Sequence, residues 1–184
     1  MIFTYFRPFK FVLLTSVAFM FSNSAFCTPL VVGALPSTIL LEGPLGGNIS
    51  GAAWTSDSIA KTGKVISLFY VDPEEKGLNE ELETAYDKAS FSKEKHGSIA
   101  IINMAAAWYP NSLINSNIEA KQAKFPRTTY VKDQKKSLVK EWEFQDDSVN
   151  LVVFGKDGKI LFVKKGPMTT AEIASLMGLI AANI

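Results

Sequence analysis

From residue 65 onward the chain alternates apolar runs with polar breaks. Val65 to Val71 (VISLFYV) is nearly continuous in apolar residues, as a strand is when both faces of its sheet are covered. The run stops at Asp72-Pro73, and an acidic stretch follows. In it Leu78, Leu82, Ala85 and Ala89 recur at helical spacing, forming one apolar stripe. Asp72 and Glu75 form a capping-box-like pair with Pro73 at the first helical position. Gly77 weakens that start, and Asn79 can cap a later one. Ser98 to Met104 (SIAIINM) is a second buried strand. A second helix follows before Pro126, with Asn111 or Ser112 as its cap and a thin stripe of Leu113, Ile114 and Ile118. TTYVKD is a short strand and SLVKEWEF a helical turn. Two β-rich runs then flank GKDGK, whose Asp157-Gly158 is a strong hairpin turn signal. Thr169 and Glu172 stand at capping-box spacing ahead of a last helix striped by Ile173, Leu176, Met177 and Ile180.

The order is β-α-β, a helix and an extended piece, then β-β-α. The first half demands a crossover and parallel pairing; the second is an antiparallel hairpin closed by a helix. The predicted fold class is α/β, a mixed sheet flanked by helices, in the thioredoxin topology with an insertion after the second strand. Thr28 to Gly63 is rich in Gly, Pro and Ser. STILL reads as a short strand, GPLGGN as turn material and TSDSIAK as one helical turn, together an N-terminal β extension laid against the core.

The N-terminus changes the picture. Arg7 and Lys10 precede an apolar stretch, Phe11 to Phe21, and small and polar residues follow in SNSAFC. These are the parts of a secretory signal peptide, and the stretch is shorter than the ~20 residues a spanning helix needs. Residues 1–27 are therefore expected to leave as a signal peptide, with 28–184 as the domain. Ala25-Phe26-Cys27 fits cleavage before Thr28; cleavage after Ser24 or Ala25 is an alternative, and SAFC loosely resembles a lipoprotein box with Cys27 lipidated. Cys27 is the one cysteine of the 184 residues, so no intramolecular disulfide forms. The chain counts 19 Lys+Arg against 18 Asp+Glu; without residues 1–27 the balance is 17 against 18. The lysines are interleaved with acids, which is a solvated surface and not a nucleic-acid footprint.

LFYVDPEEKGLNEEL, TTYVKDQKKSLVKEWEFQDDS and VNLVVFGKDGKILFVKKGPMTTAEI together resemble the YtfJ family, exported bacterial proteins with a thioredoxin-like fold and no established biochemical activity. The most specific parts are Tyr-Val-Asp-Pro at 70–73, Trp142 with Asp146-Asp147-Ser148, and the Gly-Lys-Asp-Gly-Lys hairpin. Some relatives carry a transcription-regulator label, but nothing here reads as a helix-turn-helix. A thioredoxin works through Cys-x-x-Cys at the start of its first helix, where the helix N-terminus stabilises a thiolate. This chain has DPEEKGLN there, so thiol-disulfide exchange has no nucleophile. The proline such folds place before the third central strand is also missing from DDSVNLVV.

No catalytic nucleophile and base are assigned, no metal ligands and no cofactor. His96, the one histidine, falls in the charged connection SKEKHGS and is expected to be exposed; zinc needs three or four ligands. Asp146 and Asp147 lack EF-hand spacing, and GPLGGN lacks the features of a P-loop. The candidate binding surface is Asp72, Pro73, Glu75, Lys76, Asn79, Trp108, Tyr109, Asp146 and Asp147. It is built on the corner where the first strand hands over to its helix and on the connection after the second strand. Trp54, Trp108-Tyr109 and Trp142 are placed in turns or connections, where aromatics seal sheet ends or mark a binding surface. The function expected is a redox-inactive periplasmic binding or accessory protein. Its partner is an unidentified protein or small ligand, with no nucleic acid and no membrane contact after cleavage. The alternatives are an enzyme using carboxylates and Lys76 at Asp72–Asn79, and a lipid-anchored envelope protein held by Cys27.

Overall fold

The computed structural model describes residues 28–108 and 110–184; residues 1–27, the segment expected to be a signal peptide, and Tyr109 lie outside them. Among the described residues there are eight strands and four α-helices: β1 (Leu40–Leu41), β2 (Gly46–Asn48), β3 (Trp54–Thr55), β4 (Val65–Val71), α1 (Glu80–Ala89), β5 (His96–Asn103), α2 (Asn111–Lys124), β6 (Thr128–Asp133), α3 (Ser137–Trp142), β7 (Val149–Phe154), β8 (Ile160–Lys165) and α4 (Thr170–Asn183). Six strands form one mixed sheet in the order β2-β6-β5-β4-β7-β8. β4, β5 and β6 run parallel, β7 is antiparallel to β4, and β8 to β7. The architecture is thioredoxin-like, with α2 and β6 extending the sheet beyond β5. β1 and β3 pair as a separate two-stranded sheet, and the Gly-rich stretch expected as turn supplies β2, which pairs with β6.

The period of two along each strand sorts the core onto two faces. On one face Ile66, Leu68, Ile99, Ile101, Val131, Val152 and Phe154 pack against Ile39, Leu41, Trp54 and Ile59 of the extension and Leu138 and Trp142 of α3. On the other, Val65, Leu151 and Val153 meet Leu82 of α1 and Ile173, Leu176 and Ile180 of α4, while Ile102 and Tyr130 meet Ile114 and Ile118 of α2. Coverage on both faces explains why these strands read as continuous apolar runs.

Local chemistry sets the element ends. Thr169 accepts from the Glu172 amide and the Glu172 carboxylate accepts from the Thr169 amide, the complete capping box read from the spacing. In the β7–β8 turn Asp157 Oδ1 accepts from the Lys159 amide at 3.1 Å. Of the two starts the sequence offers for α1, the later one holds: the helix begins at Glu80, directly after Asn79, because the Asp72 carboxylate closes a short turn on the Glu74 amide (2.9 Å) and a 3-10 turn, Lys76–Asn79, follows. Three expectations are corrected. Leu78 and Ala89 are accordingly exposed, and the stripe of α1 reduces to Leu82 with half-buried Ala85 and Tyr86. The cap position of α2 is Pro110, ahead of both predicted caps. Trp54 and Trp142 are not in connections: they are buried in β3 and α3, and Trp142 Nε1 donates to the Ser37 carbonyl at 3.0 Å, tying the extension to the core.

Candidate functional site

Three parallel strands each end in a polar residue, and the register sets those residues side by side. Asn103 pairs with Asp133. Asp72 lies one step beyond the Val71–Ile102 and Val71–Val149 pairs, and its amide donates to the Ser148 carbonyl at 3.4 Å. Asp133, Asn103, Asp72 and Ser148 thus form one row across β6, β5, β4 and the entry to β7, none more than 4% exposed. By the period of two, the row lies on the extension-covered face, where the apolar packing ends and polar groups must find partners.

Asp133 is fully engaged: Oδ2 accepts from Tyr70 Oη (3.2 Å) and the Leu138 amide (3.1 Å), and Oδ1 from the Lys135 amide (3.1 Å). It anchors the start of α3. Burial, then the charge of Asp133, pushes the Tyr70 phenol far above its ordinary value. Lys136 Nζ donates to Asp146 Oδ2 at 2.5 Å, and Asn103 Nδ2 to Asp146 Oδ1 at 3.2 Å. Burial by itself raises Asp146, but the Lys136 hydrogen bond and charge outweigh it and hold the carboxyl below its usual range. That hydrogen bond also raises Lys136. Asp72 moves the opposite way. Burial raises it, the Glu74 amide opposes, and the charges of Asp147, Glu74 and Glu75 add to the rise. Asn103 Oδ1 is buried with no partner among the described residues.

The structure brings Asp72, Asp146 and Asp147 to one end of the sheet, within electrostatic reach of one another, which the sequence alone did not do. Pro73 is buried beside Asp72 and Glu75 is half-buried at the same corner. Lys76 and Asn79 open and close the 3-10 turn. Trp108, 86% exposed, is held to this corner by its amide, which donates to Glu74 Oε1 at 2.9 Å. Tyr109 lies outside the described residues. Tyr70, Asn103, Asp133 and Lys136 were missed as site residues; the available signal was that three apolar strands each stop at Asp or Asn. The placement of His96 is a correction. It opens β5, half-buried, with Nε2 2.9 Å from Ser67 Oγ and its ring 5.2 Å from that of Phe91. Among the described residues no three His, Cys, Asp or Glu side chains converge on a metal position.

The sheet order and the strand-to-helix corner define a thioredoxin-like protein whose corner carries carboxylates where thioredoxins carry thiols. The chain belongs to the family described as bacterial protein of unknown function, YtfJ_HI0045, whose model matches residues 43–183. It is similar to the YtfJ protein of Escherichia coli (strain K12), 23% identical over 129 residues that cover 69% of this chain and 70% of that one. Among solved structures it resembles a DsbE-type thiol:disulfide interchange protein of Chlorobium tepidum (TM-score 0.57, 17% identity, 84% of this chain and 98% of that one). It also resembles the exposed lipoprotein thioredoxin Etrx1 of Streptococcus pneumoniae (TM-score 0.55, 11% identity, 77% and 98%). A third likeness is to copper-bound ScoI of Arabidopsis thaliana (TM-score 0.55, 11% identity, 81% and 99%). At these identities the likeness is one of fold.

Proposed function

We propose that this is a redox-inactive thioredoxin-like protein that works by binding, exported to the periplasm through cleavage of residues 1–27. The observation that carries the reading is the corner itself. Asp72-Pro73-Glu74-Glu75 occupies the strand-to-helix turn, and the one cysteine, Cys27, precedes the domain. A disulfide exchanger needs a thiolate at that turn. The binding surface is the carboxylate-rich end of the sheet, Asp72, Pro73, Glu75, Lys76, Asn79, Asp146 and Asp147, flanked by Trp108 and Tyr109. Reduction of insulin by dithiothreitol tests the redox claim. The expected result is a precipitation lag equal to that of dithiothreitol alone; a clear shortening overturns it. The intact mass of the exported protein tests the rest: an N-terminus at Thr28 supports cleavage, and a diacylglyceryl adduct on Cys27 supports the lipid-anchored alternative.

One observation favours a second reading, an enzyme using carboxylates. Burial and the neighbouring charge of Asp147 raise the Asp72 carboxyl, and a lysine completes the cluster. The lysine that the described side chains place there is Lys136, paired with Asp146, where the sequence pointed to Lys76.

A further inference from the structure

We infer that the opposite end of the sheet carries a binding site for a small organic anion with an apolar body, in the open cleft between the α1–β5 and α2–β6 connections. The cleft measures about 410 Å³ and is lined by Phe91, Lys93, His96, Lys124, Phe125 and Arg127 among others. An adjoining cleft of about 330 Å³ shares Lys93, His96 and Arg127 and adds Lys64. Lys64 Nζ donates to the Lys93 carbonyl at 2.8 Å, which holds that connection in place. The carboxylates nearby are Asp87 in the larger cleft and Glu94 in the smaller, where Glu94 accepts from Ser92 Oγ at 2.6 Å. Cations from three separate chain segments therefore outnumber acids on this rim. Their mutual repulsion costs free energy that a bound anion offsets. The apolar surface is supplied by Phe91 and Phe125, with Lys124 Nζ 5.0 Å from the Phe125 ring centroid.

A buried hydrogen-bond relay fixes the polar donor of this cleft. Tyr86 Oη donates to Ser67 Oγ at 2.8 Å, and His96 Nε2 lies 2.9 Å from the same oxygen. Ser67 is buried, its hydroxyl proton needs an acceptor, and Nε2 is its remaining hydrogen-bond partner among the described residues; the tautomer assigned on that ground carries the ring proton on Nδ1. No hydrogen bond among the described residues uses Nδ1, which leaves it free to donate to a ligand in the cleft. Burial lowers the His96 pKa to about 4, so the imidazole is neutral near pH 7. A buried serine, a tyrosine and a histidine linked in one direction, ending at a basic cleft with aromatic walls, give an anion one oriented N–H, mobile charge and an apolar seat. The site stands apart from the Asp72 corner and does not depend on the function proposed above.

The test titrates ¹⁵N-labelled protein with 1-naphthyl phosphate and, separately, with 1-naphthylmethylamine, which has the same ring and the opposite charge. Saturable shifts of the Gly97, Ser98 and Thr128 amides are expected with the phosphate ester and not with the amine. Lys124→Glu combined with Arg127→Glu changes two exposed side chains, so the melting temperature should hold while affinity falls about tenfold or more. Absence of saturable binding, equal binding of the amine, or unchanged affinity in the double variant overturns the proposal. Histidine ¹⁵N–¹H correlation reads the relay directly: a proton on Nδ1 supports it, and a proton on Nε2 overturns it.

Discussion

Asp72 carries the tension of the Asp72 corner at the residue scale. Its carboxylate accepts from the Glu74 amide, yet burial and neighbouring acids make its ionised form unfavourable. A carboxyl raised in the folded state destabilises the fold above its folded pKa, and the penalty disappears as pH falls below the ordinary aspartate value. Asp72→Asn keeps an acceptor for the Glu74 amide and removes the charge. The expected outcome is a rise of a few degrees in Tm at pH 7 that vanishes at about pH 3, read by thermal melts across that range. An equal shift at both pH values would show that charge is not the cause. Asp133, two strands over in the same row, is a buried carboxylate with three donors that holds α3 in place.

At the scale of elements, β2 depends on two glycines. Gly46 sits at φ 133°, and a Cβ there would lie 1.9 Å from the Lys132 carbonyl oxygen of β6. Only a residue without a side chain lets the edge strand approach so closely. Gly46→Ala is expected to release β2 from β6 at a cost of about 2 kcal/mol or more. Hydrogen exchange should then quicken at Gln134, whose amide donates to the Leu45 carbonyl at 2.9 Å, while amides of the β4–β5 ladder keep their protection. The GPLGGN stretch was legible as a break, since Gly and Pro mark turns. That the break also contributes an edge strand was not, because close backbone approach to residue 132 is a long-range fact. Of the two starts the sequence allows for α1, the one at Asp72 fails for a related reason. Asp-x-x-Glu spacing is compatible with a helix cap and with a local Asp turn, and the contacts of Glu74 with Trp108 and Asp72 accompany the second.

At the scale of the whole molecule, Trp142 joins the extension to the sheet. Its ring meets Phe144 edge-on at 5.7 Å and Phe154 at 6.2 Å, and its indole N–H reaches Ser37. Trp142→Ala leaves a cavity beneath the extension and an unpaired carbonyl at Ser37. A loss of about 3–5 kcal/mol is expected in urea unfolding. Hydrogen exchange should show amides bonded across the extension, Ile39 and Ser56, losing protection before those of α4. Concerted loss across the chain would mean that the extension and the core form one cooperative unit.

By itself the sequence determined β1 and the five strands β4 to β8, the buried face of α4, the hairpin, the α4 capping box and the absence of a thiol in the domain. These follow from period, turn chemistry and residue identity, all of which act over a few neighbouring positions. Tertiary structure decided which polar residues meet. Strand register, a property of distant segments, sets Asp72 beside Asn103 and Ser148 and delivers Lys136 to Asp146. It also carries His96 out of an apparently solvated connection to a buried serine on the neighbouring strand.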